Sequence, residues 1–408
     1  MRLILFFVFC AFLWSKSYVI SPLPPPRQEV LDINTKKCDA KCLYKMYEKK
    51  RYFSFISEFD PAIKDQDLRA KLTYLLGEMN IFMDASFFEE IKDAKKIRIA
   101  LLVPKDVVGR YSVIGINMIL AYLTSRNVTF SFEVFDSKIE EPEALHYAYE
   151  EIRQKKFDCV VAMLTQNGVE KLLSDTKISL PTFVPTVNKK QITDHHIPEN
   201  LFFGGIDYKE QIQMLYDFAK SDAVVEYNDT SSIGRWLADL SKQAGFPIIF
   251  QESINNEKAA RFSKEIKKQV EILKESDVLL NIPVIKTGLI LPQIGFLEEG
   301  PKRFFSTQIN YNPSLLMLVK PKDRVNFYVV NAIGKADNYL VGYGLLLGSD
   351  LQYDWVSYSI GIGVEMFFLN RGEKIRKFFS ETLQDGQVQY VNKIYRTQKN
   401  NFQEMQQQ

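Results

Sequence analysis

Two spacings of apolar residues divide the chain. Across residues 37–59 and 65–83 they recur every three or four positions, with Leu43, Tyr44, Tyr47, Tyr52, Phe55 and Ile56 in the first stretch and Leu68, Leu72, Leu75, Leu76 and Met79 in the second. That is the stripe of an amphipathic helix. The intervening Phe59-Asp60-Pro61 ends one helix before the next begins, so residues 37–94 are expected to form a helical hairpin. So short a unit holds little core alone and is expected to dock on the following domain or on another protein. It is describable as one tetratricopeptide-like repeat.

From Lys96 the rhythm becomes strands alternating with helices. Strand-like runs are Ile97–Pro104, Phe130–Phe135, Cys159–Thr165, Leu180–Val184 and Leu201–Phe203, with helices at Tyr111–Thr124 and Glu143–Lys155. A second series follows: strands at Ala223–Tyr227, Ile248–Phe250, Val278–Ile282 and Arg303–Ser306, with helices at Ser232–Ala244, Lys258–Glu275 and around Thr287–Gly295. This alternation predicts parallel, doubly wound sheets, and the number of strands predicts two lobes with a cleft between them.

The N-terminus is a targeting signal in layout. Arg2, the apolar run Leu3–Trp14 and the small residues of Ser15-Lys16-Ser17 match a secretory signal cleaved after Ser17. The run is shorter than the roughly 20 residues that span a bilayer, so no stable membrane span is expected after cleavage. Ser21-Pro-Leu-Pro-Pro-Pro26 then reads as an extended linker within residues 18–36. Export gives the cysteines a meaning. Cys38 and Cys42 share a face if both are helical, near the upper end of disulfide reach, and an oxidising compartment favours a bridge over two free thiols. A metal there would need further ligands, and His146, His195 and His196 are more than 100 residues away in sequence. Cys159 lies in an apolar run and reads as an inert buried thiol.

Composition narrows the function. Lys and Arg number 52 against 50 Asp and Glu, a balance that argues against a nucleic-acid-binding surface. No nucleophile elbow, phosphate loop or dinucleotide fingerprint is present. Adjacent carboxylates such as Glu140-Glu141 and Glu298-Glu299 read as solvated faces, and Gly342-Tyr-Gly344 and Gly361-Ile-Gly363 as sites of close helix packing. No catalytic residue, metal or cofactor is assigned.

Residues 96 to about 396 resemble the type 1 periplasmic binding proteins, the family of bacterial leucine/isoleucine/valine receptors. The likeness is carried by Ile97–Pro104 with Gly109-Arg-Tyr111 and Gly115, by Phe157–Thr165, by Leu180–Pro185, by Ala223–Gly234 and by Ser276–Asn281. The resemblance implies lobe I at 95–205, lobe II at 206–322, a return to lobe I over 323–370, and a terminal lobe II segment with a polar, frayed tail over 371–408. It also implies a periplasmic location. Loops at the strand carboxyl ends would line the cleft: Lys105, Asp106, Arg110 and Tyr111, then Thr165, Gln166 and Asn167, faced from lobe II by Tyr227 and Asp229. A plainer reading makes Thr165, Asn167, Asp229 and Ser231 helix caps and turn residues. Asn228 sits in an acidic extended sequon, Glu226-Tyr-Asn228-Asp-Thr230, and Asn127 in a plain one. Relatives of this shape include scaffolds and activators of envelope assembly and secreted proteins of flagellar motility. The amino-acid receptors' pattern of small hydroxyl residues in consecutive loops is not clearly present, and together with the added hairpin this points to an envelope or flagellar protein partner. The alternative is a solute receptor of an ABC transporter with a small polar ligand in the cleft.

Overall fold

The computed structural model describes residues 38–60, 63–78, 97–126, 128–193, 195–372 and 375–405. The expected signal segment, the proline-rich linker and Asn127 lie outside them. The chain divides into two compact units, one ending at Ala94 and one starting at Lys95.

The first unit holds α1 (Ala40–Glu48), α2 (Tyr52–Ser57) and α3 (Gln66–Glu78). The first expected helix is thus two. At about 100° per residue a straight helix would point Leu43 and Phe55 roughly 120° apart. The break at Lys49–Arg51, where Lys50 takes a φ of 57°, lets both bury completely in one core with Leu68 and Leu72. Asp39 caps α1 by accepting from the Cys42 N–H at 2.8 Å, and Asp65 caps α3 while accepting from the Tyr44 hydroxyl at 3.1 Å. Cys38 and Cys42 are bridged, with Cα atoms 5.4 Å apart. Cys38 precedes the cap residue and is not on the helix, which corrects the shared-face geometry. Closing so short a loop stabilises by about 2 kcal/mol in the chain-entropy picture. Replacing both cysteines by serine is therefore expected to raise amide exchange in α1–α3 by one to two orders of magnitude, read by hydrogen-exchange mass spectrometry.

The second unit opens with β1 (Ile97–Val103), α4 (Lys105–Val108), α5 (Tyr111–Ser125), β2 (Phe130–Asp136), α6 (Pro142–Gln154), β3 (Cys159–Ala162), α7 (Gln166–Asp175), β4 (Thr182–Val184) and β5 (Leu201–Phe203), which build lobe I. Lobe II follows: α8 (Tyr208–Ala219), β6 (Val224–Asp229), α9 (Ser232–Ala244), β7 (Ile248–Ile254), α10 (Asn256–Ala260), α11 (Ser263–Lys274), β8 (Asp277–Asn281), α12 (Val284–Ile294), β9 (Phe304–Ser306), α13 (Pro313–Leu318) and β10 (Phe327–Asn331). The chain returns to lobe I with α14 (Asn338–Leu346), α15 (Trp355–Asn370), β11 (Thr382–Gln384) and β12 (Gln387–Gln389), and ends in lobe II with β13 (Lys393–Thr397) and β14 (Phe402–Glu404).

Each lobe is a seven-stranded sheet, ordered β11-β12-β5-β4-β3-β1-β2 and β14-β13-β10-β9-β8-β6-β7. Pairing is parallel except at one end of each sheet, where β11 runs against β12 and β13 runs against both β10 and β14. Helices cover both faces, giving two apolar clusters per lobe.

Three expected boundaries move. β10 stays in lobe II, pairing with β9 at Val329↔Ser306, so the return crossing lies at 332–337 and not near 323. Phe327, Val329 and Val330 are fully enclosed, as in a strand covered on both faces, and the edge of β9 is where this strand finds its partner. The segment 386–395 is shared, its first part pairing with β5 in lobe I and its last with β10 in lobe II. The expected frayed tail instead pairs Phe402 with Thr397. The helix expected at 258–275 breaks at Arg261-Phe262, which turns the Phe262 ring inward to meet Tyr227 edge-on at 5.1 Å. On α15 a Cβ at Gly363 would fall 2.2 Å from the Phe183 ring, so the helix lies against the sheet as the glycine pair suggested. Around Gly342 a Cβ meets nothing within 4 Å, and close packing is not its role.

Candidate functional site

The residues expected to line the cleft are mostly engaged within their own lobe. Thr165 caps α7, accepting from the Gly168 N–H at 3.2 Å, while its own N–H donates at 2.7 Å to Glu140. Glu140 is buried rather than solvated, which corrects the reading of that carboxylate pair. The Gln166 amide donates to Glu170 and to the Gln191 carbonyl at 2.9 and 3.0 Å. Asn167 and Asp106 are exposed on lobe I. The Arg110 guanidinium lies over the half-exposed Tyr111 ring at 5.5 Å from its centroid. Of the expected ligand contacts, Arg110 and Tyr111 keep an open face at the end of β1.

In lobe II the alternation of a strand decides matters. Tyr227 and Asp229 point to one side of β6, Glu226 and Asn228 to the other. Tyr227 is fully buried beneath α11, its hydroxyl donating to Gln269 at 2.5 Å, so it does not face the cleft. Burial pushes that phenol well above its ordinary pKa. Asp229 is buried against Lys286, which also donates to the Ile254 carbonyl at 2.9 Å. Burial alone would push the Asp229 carboxyl up, but hydrogen bonds from Lys286 and Ser231 outweigh it and hold the pKa below the usual range. Asp229 therefore acts as an internal partner. Asn228 is 3% exposed and accepts from Asn281 at 2.9 Å, so the folded chain does not present this sequon to a glycosylating enzyme.

Glu226 has no cationic hydrogen-bond partner. One carboxyl oxygen accepts from Ser241 and, at 2.9 Å, from Asn281, while the other is buried and unpaired. Burial pushes its pKa up. A carboxyl whose folded pKa exceeds its unfolded value favours folding below the unfolded value, and that favour is lost as pH rises through the folded one. Glu226→Gln is accordingly expected to raise the urea midpoint at pH 7 and to leave it nearly unchanged at pH 4.

What the structure does concentrate is buried side-chain hydrogen bonding at the three crossings, each tied to one lobe or the other. At the first crossing the Gly204 carbonyl accepts from Ser359 Oγ at 3.0 Å and from the Tyr390 hydroxyl at 2.6 Å. The Gly205 carbonyl accepts from Asn188 and Gln387 amides at 3.0 and 3.1 Å. At the second, Gln308 donates to Asn331 at 2.9 Å and accepts from the Ala332 N–H at 2.6 Å. At the third, Gln211 donates to Asn392 at 3.0 Å, and its carbonyl accepts the Gln308 N–H at 2.9 Å, which ties the second and third crossings together. Gln211, Gln308, Asn331 and Asn392 are all buried. Three aromatic rings are shared: Trp355 and Tyr390 pack on apolar clusters of both lobes, as does Tyr311, whose ring also meets Phe402 at 4.7 Å.

Sequence reasoning missed this junction. Glutamine and asparagine on helices and at strand ends carry no motif, and only their place in an otherwise apolar strand end, as in Val-Val-Asn331-Ala-Ile, hints at an inward polar role. Two surface concavities lie elsewhere, one along Lys242, Phe246, Ile248 and Phe250, the other beside Pro142 and Ser174. Among the described residues no group of three His, Cys, Asp or Glu side chains is placed to hold a metal ion, and no helix is long and apolar enough to cross a membrane.

No protein-family profile matches the sequence, and no curated protein shows significant similarity to it. Solved structures do match in shape. An amino acid ABC transporter substrate-binding protein from Pseudomonas fluorescens shares 12% identity at a TM-score of 0.57, over 76% of this chain and 95% of its own. A branched-chain amino acid ABC transporter protein from Thermus thermophilus with bound valine gives 12% and 0.54, over 76% and 96%. A branched-chain amino acid substrate-binding protein from Streptococcus pneumoniae in complex with isoleucine gives 13% and 0.53, over 76% and 99%. The chain has the type 1 periplasmic binding protein fold. At this identity the likeness speaks to architecture alone. In open α/β sheets ligands sit outside the carboxyl ends of the strands; of the side chains expected there, Thr165, Tyr227 and Asp229 are committed to internal bonds.

Proposed function

We propose that this is an exported, non-catalytic protein that uses the binding-protein fold as a fixed two-lobed body for protein interaction, in envelope or flagellar assembly. The observation that carries the reading is the junction. A receptor that closes on a solute changes backbone dihedrals at its crossings. Here all three crossings are held by buried side-chain hydrogen bonds, and partly buried rings from the crossings and their neighbours pack against the apolar clusters of both lobes. Opening would expose those rings and leave buried amides unpaired, which opposes the motion.

The test pairs small-angle X-ray scattering with thermal shift on residues 18–408, against the amino acids and small polar metabolites. The expected result is an unchanged radius of gyration and an unchanged melting temperature. Stabilisation that grows with ligand concentration, together with compaction, would establish the solute receptor instead.

A further inference from the structure

We infer that the outer face of α12 and α13 in lobe II is a docking surface for an amphipathic helix whose apolar face is bordered, at one end, by acidic residues. Helix α12 carries apolar residues on both its buried and its exposed side. Its inner residues Ile290, Leu291 and Ile294 are buried, yet Ile285, Leu289 and, just past its end, Phe296 are 58%, 42% and 85% exposed. These three fall at i, i+4 and i+11, one stripe along the helix. α13 runs alongside it: a Cβ on Gly288 would come 2.8 Å from Leu318, so the backbones approach closely there. Leu318 and Met317, 48% and 78% exposed, widen the stripe into a face shared by two helices. Exposed apolar patches of this kind mark interaction sites.

Charge selects the occupant. Lys320 and Lys322 follow α13, and Lys399 joins them because Arg324 donates both to its carbonyl at 2.9 Å and to the Val319 carbonyl at 3.0 Å. All three lysines are exposed, and among the described residues none has a carboxylate within ion-pair reach. The acidic groups on the neighbouring segments are Glu298, Asp323 and Glu299, the last of these paired with Lys274. The helix carries one charge, Lys286, which lies off the stripe and is turned inward onto Asp229. An apolar face ending in a surplus of unpaired lysines suits a helix laid in along its apolar side with Glu or Asp at the lysine end. This deepens the reading above by naming the partner's chemistry, and it rests on that reading for the protein's being an interaction body.

The probes are two 18-residue helical peptides with the same leucine stripe, one with glutamates flanking one end and one with lysines there, titrated by fluorescence anisotropy into the full exported chain. The glutamate peptide is expected to bind at least tenfold more tightly than the lysine peptide and to weaken with salt. Met317→Asp and Leu289→Asp should each abolish binding, and Lys320→Glu with Lys322→Glu should reverse the preference, with circular dichroism and melting temperature unchanged. Equal binding of the two peptides, or binding that survives Met317→Asp and Leu289→Asp, overturns the proposal. So does self-association lost in the same variants, seen by sedimentation equilibrium, or binding to anionic vesicles with no peptide binding. A metabolite that stabilises the wild type and the Met317→Asp variant alike would overturn the interaction reading of the cleft and leave the peptide result to stand by itself.

Discussion

Replacing Arg324 with methionine is expected to destabilise lobe II by at least about 3 kcal/mol and to release its C-terminal hairpin. Arg324 is 1% exposed, and among the described residues no carboxylate pairs with it. Its guanidinium instead donates to four carbonyls: Val319 at 3.0 Å, Lys399 at 2.9 Å, Leu316 at 3.4 Å and Gln398. Two of these end α13, where carbonyls lack intrahelical partners, and two form the turn between β13 and β14. One side chain therefore ends a helix and pins a strand pair, and removal from water is what pulls its pKa down. Each buried carbonyl left unpaired costs about 1–3 kcal/mol, moderated as the turn loosens toward water. Methionine fills the volume without donating. Lysine keeps the charge but offers a point donor in place of a fork, and should recover less than half of the loss. Urea unfolding gives the magnitude and hydrogen exchange the location: amides of β13 and β14 should lose protection before those of β6 and β8. If the hairpin stays protected in Arg324→Met, the turn is held by β13–β10 pairing alone.

The two-lobed architecture was legible because it depends on period. Runs such as Ile97–Val103 and Asp277–Asn281 are enclosed on both faces, so their apolar composition announced strands without help from distant residues. Boundaries that depend on partners were not legible. Nothing local in Phe327–Asn331 says which sheet it joins; β9 offering a free edge decides that. The site fared worse for the same reason. Thr165 in Thr-Gln-Asn-Gly is readable as a cap, and it is one, but its second bond goes to Glu140, 25 residues away. Tyr227 was misplaced by one strand face, since alternation in a fully buried strand leaves no polar marker of which side meets the cleft. Gln211 in Tyr-Lys-Glu-Gln-Ile-Gln looks like the wet side of an amphipathic helix, and only the fold brings Asn392 and Gln308 to it.

Those two glutamines carry the remaining large prediction. Gln308→Leu removes an acceptor from the Ala332 N–H and a donor from Asn331, and Gln211→Leu removes an acceptor from the Gln308 N–H and a donor from Asn392. Each change leaves two buried polar groups unpaired, so each is expected to cost about 2–4 kcal/mol. Because the Gln211 side chain binds the backbone N–H of Gln308 itself, the sites share one network and the double variant should lose less than the sum, with a coupling of about 1 kcal/mol or more. The functional consequence is separate from the stability one. With the crossings untied, the lobes gain the freedom that a solute receptor needs, and the scattering profile should shift to a larger and more heterogeneous radius of gyration. If both variants stay within about 0.5 kcal/mol of the wild type and scatter identically, the junction does not hold the lobes. The fixed-body reading then fails, and the open face at Arg110 and Tyr111 becomes the place to look for a small ligand.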